Sequence, residues 1–189
     1  MQKIIIGIIG ENASGKTTAT EYLIKQYGAV SFRFSDPLAD VLKRLYLENS
    51  RANLQKLSTL LRQNFDEEIL SAIIAKDAKN SPANLIITEG VRRPGDITHL
   101  KQLDNFYLIA LDAAERVRYE RLIKRAEKTD DATKTWESFQ IDGQQEAEQK
   151  IKQVATQANF KIDNNNTLEG LFSQLDDIIL KIQNNPTQQ

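Results

Sequence analysis

The sequence predicts an α/β fold with a five-stranded parallel sheet flanked by helices, on three observations. Five short apolar runs alternate with segments of helical period, the signature of strand–helix–strand units. The first run, Ile4 to Ile9, is almost continuously β-branched, as suits a strand buried on both faces. It leads directly into Gly10-Glu11-Asn12-Ala13-Ser14-Gly15-Lys16-Thr17, a G-x-x-x-x-G-K-[ST] segment placed between a strand and a helix.

The elements follow in order. Gly15 to Tyr27 carries Ala19, Tyr22, Leu23 and Tyr27 at helical spacing, and Gly28 stands at the expected stop. Ala29 to Phe34 reads as the second strand, and Asp36-Pro37 as a cap and first turn of a helix to about Leu47. Residues 51–79 predict two inserted helices, with Leu54, Leu57, Leu61 and Phe65 on one stripe and Ile69, Ala72 and Ile73 on another. Leu85 to Thr88 is the third strand, followed by a short helix around 96–103. Phe106 to Leu111 is the fourth strand and Ala113 to Ala126 the next helix. A loop over 127–137, a helix from Trp136 to Ala158, a strand at Phe160 to Asp163 and a helix from Leu168 to Ile182 complete the pattern. Asn166 with Glu169 suggests a capping box at that last helix, and 184–189 a flexible tail.

Composition removes whole classes of function. With 189 residues, one domain over 1–183 is expected. The absence of cysteine excludes disulfide scaffolds, thiol nucleophiles and cysteine-based metal sites, and a single His99 leaves little for histidine chemistry. His99 itself reads as structural. No run approaches a membrane span, so a cytoplasmic protein without membrane partner is expected. The 25 Lys+Arg against 26 Asp+Glu give no global footprint for nucleic acid.

The chemistry lies in the glycine motif. Backbone N–H groups of such a loop wrap a phosphate, and the following helix presents its positive end to the same anion. Gly10, Asn12, Ala13, Ser14, Gly15, Lys16, Thr17 and Thr18 are therefore the nucleotide-binding candidates, with Lys16 on the outer phosphates and Thr17 a Mg²⁺ ligand. No N-K-x-D or L-S-G-G-Q segment is present, which argues against GTPases and ABC transporters, and the chain is short for an AAA+ motor. A small kinase remains.

The motif, together with Ser35-Asp36-Pro37-Leu38, Thr88-Glu89-Gly90-Val91-Arg92-Arg93 and Arg118-Tyr119-Glu120-Arg121 through Arg125, resembles the P-loop nucleoside monophosphate kinase group. Within it the chain is similar to deoxynucleoside monophosphate kinases, dephospho-CoA kinases and archaeal-type nucleotide kinases. Leu54-Gln55-Lys56-Leu57 with Arg62 resembles the phage-type enzymes; Thr135 to Phe139 and Ile162-Asp163-Asn164 resemble the archaeal-type group. The resemblance implies ATP and Mg²⁺ as cofactors, a small-molecule phosphate acceptor (a nucleotide or dephospho-CoA) as partner, 51–79 as an acceptor-binding insertion, and 126–137 as a lid.

Two arginine sets fit such a kinase. Arg118, Arg121, Arg125 and Lys128 recur along one helix and lead into the lid, which implies that Arg121 and Arg125 act on the transferring group; a solvated basic face is the alternative. Arg92 and Arg93, borne on a turn, suit a bidentate grip on an acceptor phosphate, or a surface ion pair. Arg62 would reach the acceptor from the opposite wall, or be a plain helix arginine. Asp36 would orient or deprotonate the acceptor, cap its helix, or do both. Glu89, at the end of the third strand, would approach the acceptor and the metal through water, or be a structural carboxylate. Trp136 is expected to anchor the lid, and 164–166 to lie near the adenine or form a turn.

Overall fold

Alternate residues of β1 (Ile4–Ile9) bury into opposite layers of the protein, the pleat period of a strand covered on both faces. The computed structural model describes residues 3–125 and 134–184. Ile5 and Ile9 pack with Leu70, Ile74 and Leu108. Ile6 and Ile8 pack on the other side with Leu23, Leu171, Leu175 and Ile178.

β1 is flanked by β3 (Leu85–Glu89) and β4 (Phe106–Asp112), with β2 (Val30–Arg33) and β5 (Phe160–Asp163) at the edges. All pairings are parallel, in the order β2-β3-β1-β4-β5. The chain therefore leaves β1 at a topological switch point, where such sheets place ligands.

α1 (Lys16–Tyr27) follows at once and stops at Gly28, which takes φ 66° and returns its N–H to Ile24. α2 covers Asp36–Arg44, α3 Arg51–Asn64, α4 Ile69–Asn80, α5 Glu115–Arg125, α6 Trp136–Gly143, α7 Glu146–Ala155 and α8 Leu168–Asn184. Leucines of α3 and isoleucines of α4 lie against the first core layer, so the insertion packs on the sheet. Among the described residues no helix is long and apolar enough to cross a membrane.

Several boundaries differ from the sequence reading, each for a local reason. α2 ends at Arg44, short of Leu47, because Tyr46 takes φ 56° and leaves the helical region. Its cap is Ser35; the Asp36 carboxylate turns back and accepts the Arg33 N–H at 2.8 Å. The expected helix at 96–103 is two 3-10 turns, Pro94–Asp96 and Leu100–Gln102. The expected helix from Trp136 to Ala158 breaks at Gln145, whose backbone is extended, giving α6 and α7, and ends at Ala155. Thr167, rather than Asn166, caps α8, accepting the Gly170 N–H at 3.2 Å. Of the lid at 126–137, residues 126–133, Lys128 among them, lie outside the described residues, whereas Trp136 and Glu137 open α6. Of the tail, 185–189 also lie outside them, and Asn184 ends α8.

Candidate active site

The loops leaving β1, β3 and β4 enclose a cavity of about 580 Å³ beside the glycine motif. One wall is Asn12, Ala13 and Gly15 to Thr18; the other carries four cations, Arg92, Arg121, Lys124 and Arg125, with Glu21 and Leu168 at the margin. A second cavity of about 420 Å³ lies at the opposite, amino-terminal ends of the central strands, around Ile4, Leu85 and Tyr107. It is lined by no cation, so the first cavity is the candidate active site.

The glycine loop is held from three sides. Gly15 takes φ 101°, and any side chain there would collide with Asn164, which is buried and donates from Nδ2 to the Ser14 carbonyl at 2.8 Å. From α5, Arg118 donates to the carbonyls of Ala113 at 3.0 Å and Asn12 at 3.4 Å, and pairs with Glu11 at 3.1 Å. From α7, Lys152 reaches the same Glu11 carboxylate at 3.5 Å. The loop is thus fixed at the start of α1, the positive end of a helix and a favourable place for an anion.

Lys16, the first residue of α1, donates to the carbonyls of Gly10 at 2.7 Å and Glu11 at 2.8 Å. Burial pushes its pKa down to about 8; Glu148 opposes this, while Arg92, Arg125 and Arg118 add to it. The site therefore holds a costly ammonium that an incoming polyphosphate would neutralise. Below pH 8 Lys16 is charged in the free protein; above it, the charge is lost unless an anion restores it. MgATP affinity should accordingly fall above pH 8, approaching about tenfold per pH unit, with proton uptake on binding at pH 9. Calorimetry in buffers of different ionisation enthalpy measures this, and Lys16→Arg should abolish the uptake.

Arg121 supplies a second indication of an anion site: its Nη1 is shut from solvent and has no hydrogen-bond partner among the described residues. Orphaned buried donors of this kind call for an acceptor. Thr17 is exposed at the head of α1, where a hydroxyl can join the waters that Mg²⁺ retains. Among the described residues no group of three acidic or histidine side chains could hold a metal unaided.

The structure brings Arg92, Arg121 and Arg125 together with the glycine loop, and leaves other sequence candidates elsewhere. Arg93 turns away to Glu67, at 3.2 Å. Arg62 does not line the candidate site: its side chain is 5% exposed and pairs with Asp96 at 2.6 Å. Glu89 accepts from Ser31 and pairs with Arg33 at 3.5 Å, which directs it toward β2, and it does not line the cavity. Asp36 is exposed and does not line the cavity. Arg118 is no solvated arginine but the buried fastening of the loop. Trp136 stacks on Phe139 at 6.0 Å beneath Arg116 at 5.3 Å, closing the base of α5 against α6.

Four participants escape the sequence reading. Lys124 lies three residues after Arg121, and helical spacing could have found it. Glu148 and Lys152 reach their partners only through tertiary packing; Asp96 takes the N–H groups of Arg92 and Arg93 locally and meets Arg62 only through tertiary packing.

Residues 9–140 match the family model described as AAA domain. The chain belongs to the AAA domain family. The AAA domain match ends before α7 and β5, so Glu148, Lys152 and Asn164 act on its glycine loop from outside the matched segment. A UPF0200 protein of Methanocaldococcus jannaschii is 28% identical over 184 residues, covering 96% of this chain and 92% of that one. A UPF0200 protein of Sulfurisphaera tokodaii is 26% identical, covering 94% and 97%. Among solved structures, shikimate kinase from Bacteroides thetaiotaomicron aligns with TM-score 0.60 at 15% identity, over 95% of this chain and 98% of that one. TT1252 from Thermus thermophilus aligns with TM-score 0.59 at 19% identity, over 96% and 99%. This AAA domain therefore has the fold of P-loop kinases; fold alone assigns no reaction.

Proposed function

We propose that this protein is an ATP-dependent kinase that moves the γ-phosphoryl group of MgATP to a nucleoside or deoxynucleoside 5′-monophosphate. The observation that carries the reading is the charge of the cavity: among the described residues Lys16, Arg92, Arg121, Lys124 and Arg125 line it against the single carboxylate of Glu21. So many converging cations suit two phosphorylated ligands better than a nucleotide alone, and a nucleotide-dependent switch has no need of the second.

In this reading the glycine loop and Lys16 hold the β- and γ-phosphates, with Thr17 as the protein ligand of Mg²⁺. The metal, when bound, neutralises charge on the phosphates. Arg121 and Arg125 face the transferring group, and Arg92 holds the acceptor phosphate. An acceptor oxygen attacks the γ-phosphorus while the bond to the β-bridging oxygen breaks, and ADP leaves with that electron pair. Catalysis is then positioning and charge neutralisation.

Dephospho-CoA is the second acceptor considered. A ribose hydroxyl must shed a proton, and Asp36, the base proposed for it, is exposed and outside the cavity lining. A phosphate oxygen needs no base, which favours the monophosphate. A cytoplasmic setting, with cellular ATP as donor, goes with this reading.

Arg92→Ala should raise the KM of the acceptor about ten- to hundredfold, the worth of a charged hydrogen bond, while the KM of ATP moves within about threefold. Steady-state kinetics with each substrate varied in turn checks this. Equal losses for both ligands would contradict the assignment.

A further inference from the structure

We propose that Asp96 is a positioning residue that sets Arg92 for phosphate binding, and that it does so from a platform formed by the α3–α4 corner. The proposal deepens the kinase reading, because it rests on Arg92 serving the acceptor phosphate. Asp96 follows Arg92 by four residues, and its carboxylate is 3% exposed. Oδ2 accepts the backbone N–H of Arg92 at 2.8 Å and of Arg93 at 3.0 Å. Oδ1 pairs with Nη2 of Arg62 at 2.6 Å. One buried carboxylate thus fixes the backbone from which Arg92 enters the cavity.

Its anchor lies on the insertion. Arg62, in the last turn of α3, also donates from Nη1 to the Glu67 carbonyl, and the Glu67 carboxylate takes Arg93 at 3.2 Å. Farther along the turn, Thr98 donates to Glu68 at 2.9 Å, and the His99 N–H to Ser71 at 3.1 Å. The segment after β3 is therefore docked along the start of α4 by several polar contacts. Thr88-Glu89-Gly90 alone would leave a glycine-borne arginine free to swing, with Gly90 at φ 92°. Docking on the α3–α4 corner removes that freedom and makes the placement of Arg92 depend on the insertion. The role of Arg62 is then to hold the holder, and not to touch the acceptor.

The test is a double-mutant cycle on the full chain, read as binding of inorganic phosphate in the presence of saturating MgADP. Arg92→Ala should weaken phosphate about tenfold or more. Asp96→Asn, which keeps shape but removes charge, should weaken it to a similar extent, with MgADP affinity within about twofold of the parent. The double variant should be no weaker than Arg92→Ala, because both changes act through one side chain. Hydrogen exchange at the amides of Arg92 and Arg93 should quicken in Asp96→Asn, and unfolding in urea shows which variants are folded. If Asp96→Asn does not fold, Arg62→Met/Asp96→Asn removes both buried charges and takes its place. The proposal is overturned if the Asp96 variant binds phosphate like the parent, if the losses multiply in the double variant, or if Arg92→Ala itself leaves phosphate binding intact. None of these results depends on turnover, so failure of the kinase reading shows separately, in an acceptor screen.

Discussion

Lys16→Ala should lower phosphoryl transfer by about 10²- to 10³-fold, the effect of deleting one preorganised donor to developing charge, while the protein keeps its fold. The expectation follows from where Lys16 sits. It opens α1 beside the glycine loop, and its ammonium is held at an energetic cost, with its pKa pushed down to about 8 chiefly by burial. A group kept charged against its surroundings adds little to folding. Because the folded pKa lies below the ordinary value of 10.5, the penalty is fully present below pH 8 and is relieved as pH rises from 8 toward 10.5. Removing the side chain lifts the same penalty, so thermal stability at pH 7 should hold or rise slightly. A coupled ADP-release assay beside a thermal melt measures both effects. Unchanged turnover in a folded Lys16→Ala protein would remove the nucleotide assignment of the loop.

Arg62→Ala should act in the opposite way, destabilising the fold by about 3–5 kcal/mol, the usual cost of leaving one partner of a buried ion pair alone. Asp96 would keep its two backbone N–H donors but lose the cation at 2.6 Å, in a place where its side chain is 3% exposed. The pair itself need add little net stability; the cost arises from the carboxylate left behind. Arg62→Met/Asp96→Asn should therefore recover much of the loss. Urea denaturation measures the effect as a fall in midpoint at constant slope. An acceptor-binding arginine predicts the reverse pattern: a variant of ordinary stability whose acceptor affinity collapses.

These two residues mark what the sequence could and could not disclose. β1, the glycine loop and α1 were legible because each is written locally, as a β-branched run, a spaced glycine motif and a terminal glycine that takes φ 66°. The arginines of α5 were legible as a helical series, although Arg118 is drawn beneath the loop and Arg121, Lys124 and Arg125 into the cavity. The burial of Arg62 is not legible locally for a physical reason: its partner lies 34 residues away, and nothing near α3 signals a buried carboxylate. For Glu89 the structural alternative fits the geometry, because β2 pairing brings Ser31 and Arg33 beside it. Asn164 was noticed as a turn near the nucleotide, but its bond to Ser14 spans 150 positions and needed the sheet order to be seen. The break between α6 and α7 lies at Gln145, whose backbone is extended at ψ 149°. Glutamine is an ordinary helix former, so no local residue marks that boundary.

A kinase of this kind takes a second phosphorylated ligand in the cation-lined cavity. The most direct measurement is ADP release from MgATP across the nucleoside and deoxynucleoside 5′-monophosphates and dephospho-CoA, with shikimate and an acceptor-free control as further arms. A monophosphate that raises turnover well above the acceptor-free rate, with the gain reduced in Arg92→Ala, is the predicted result. Turnover that no acceptor lifts above slow ATP hydrolysis would contradict it.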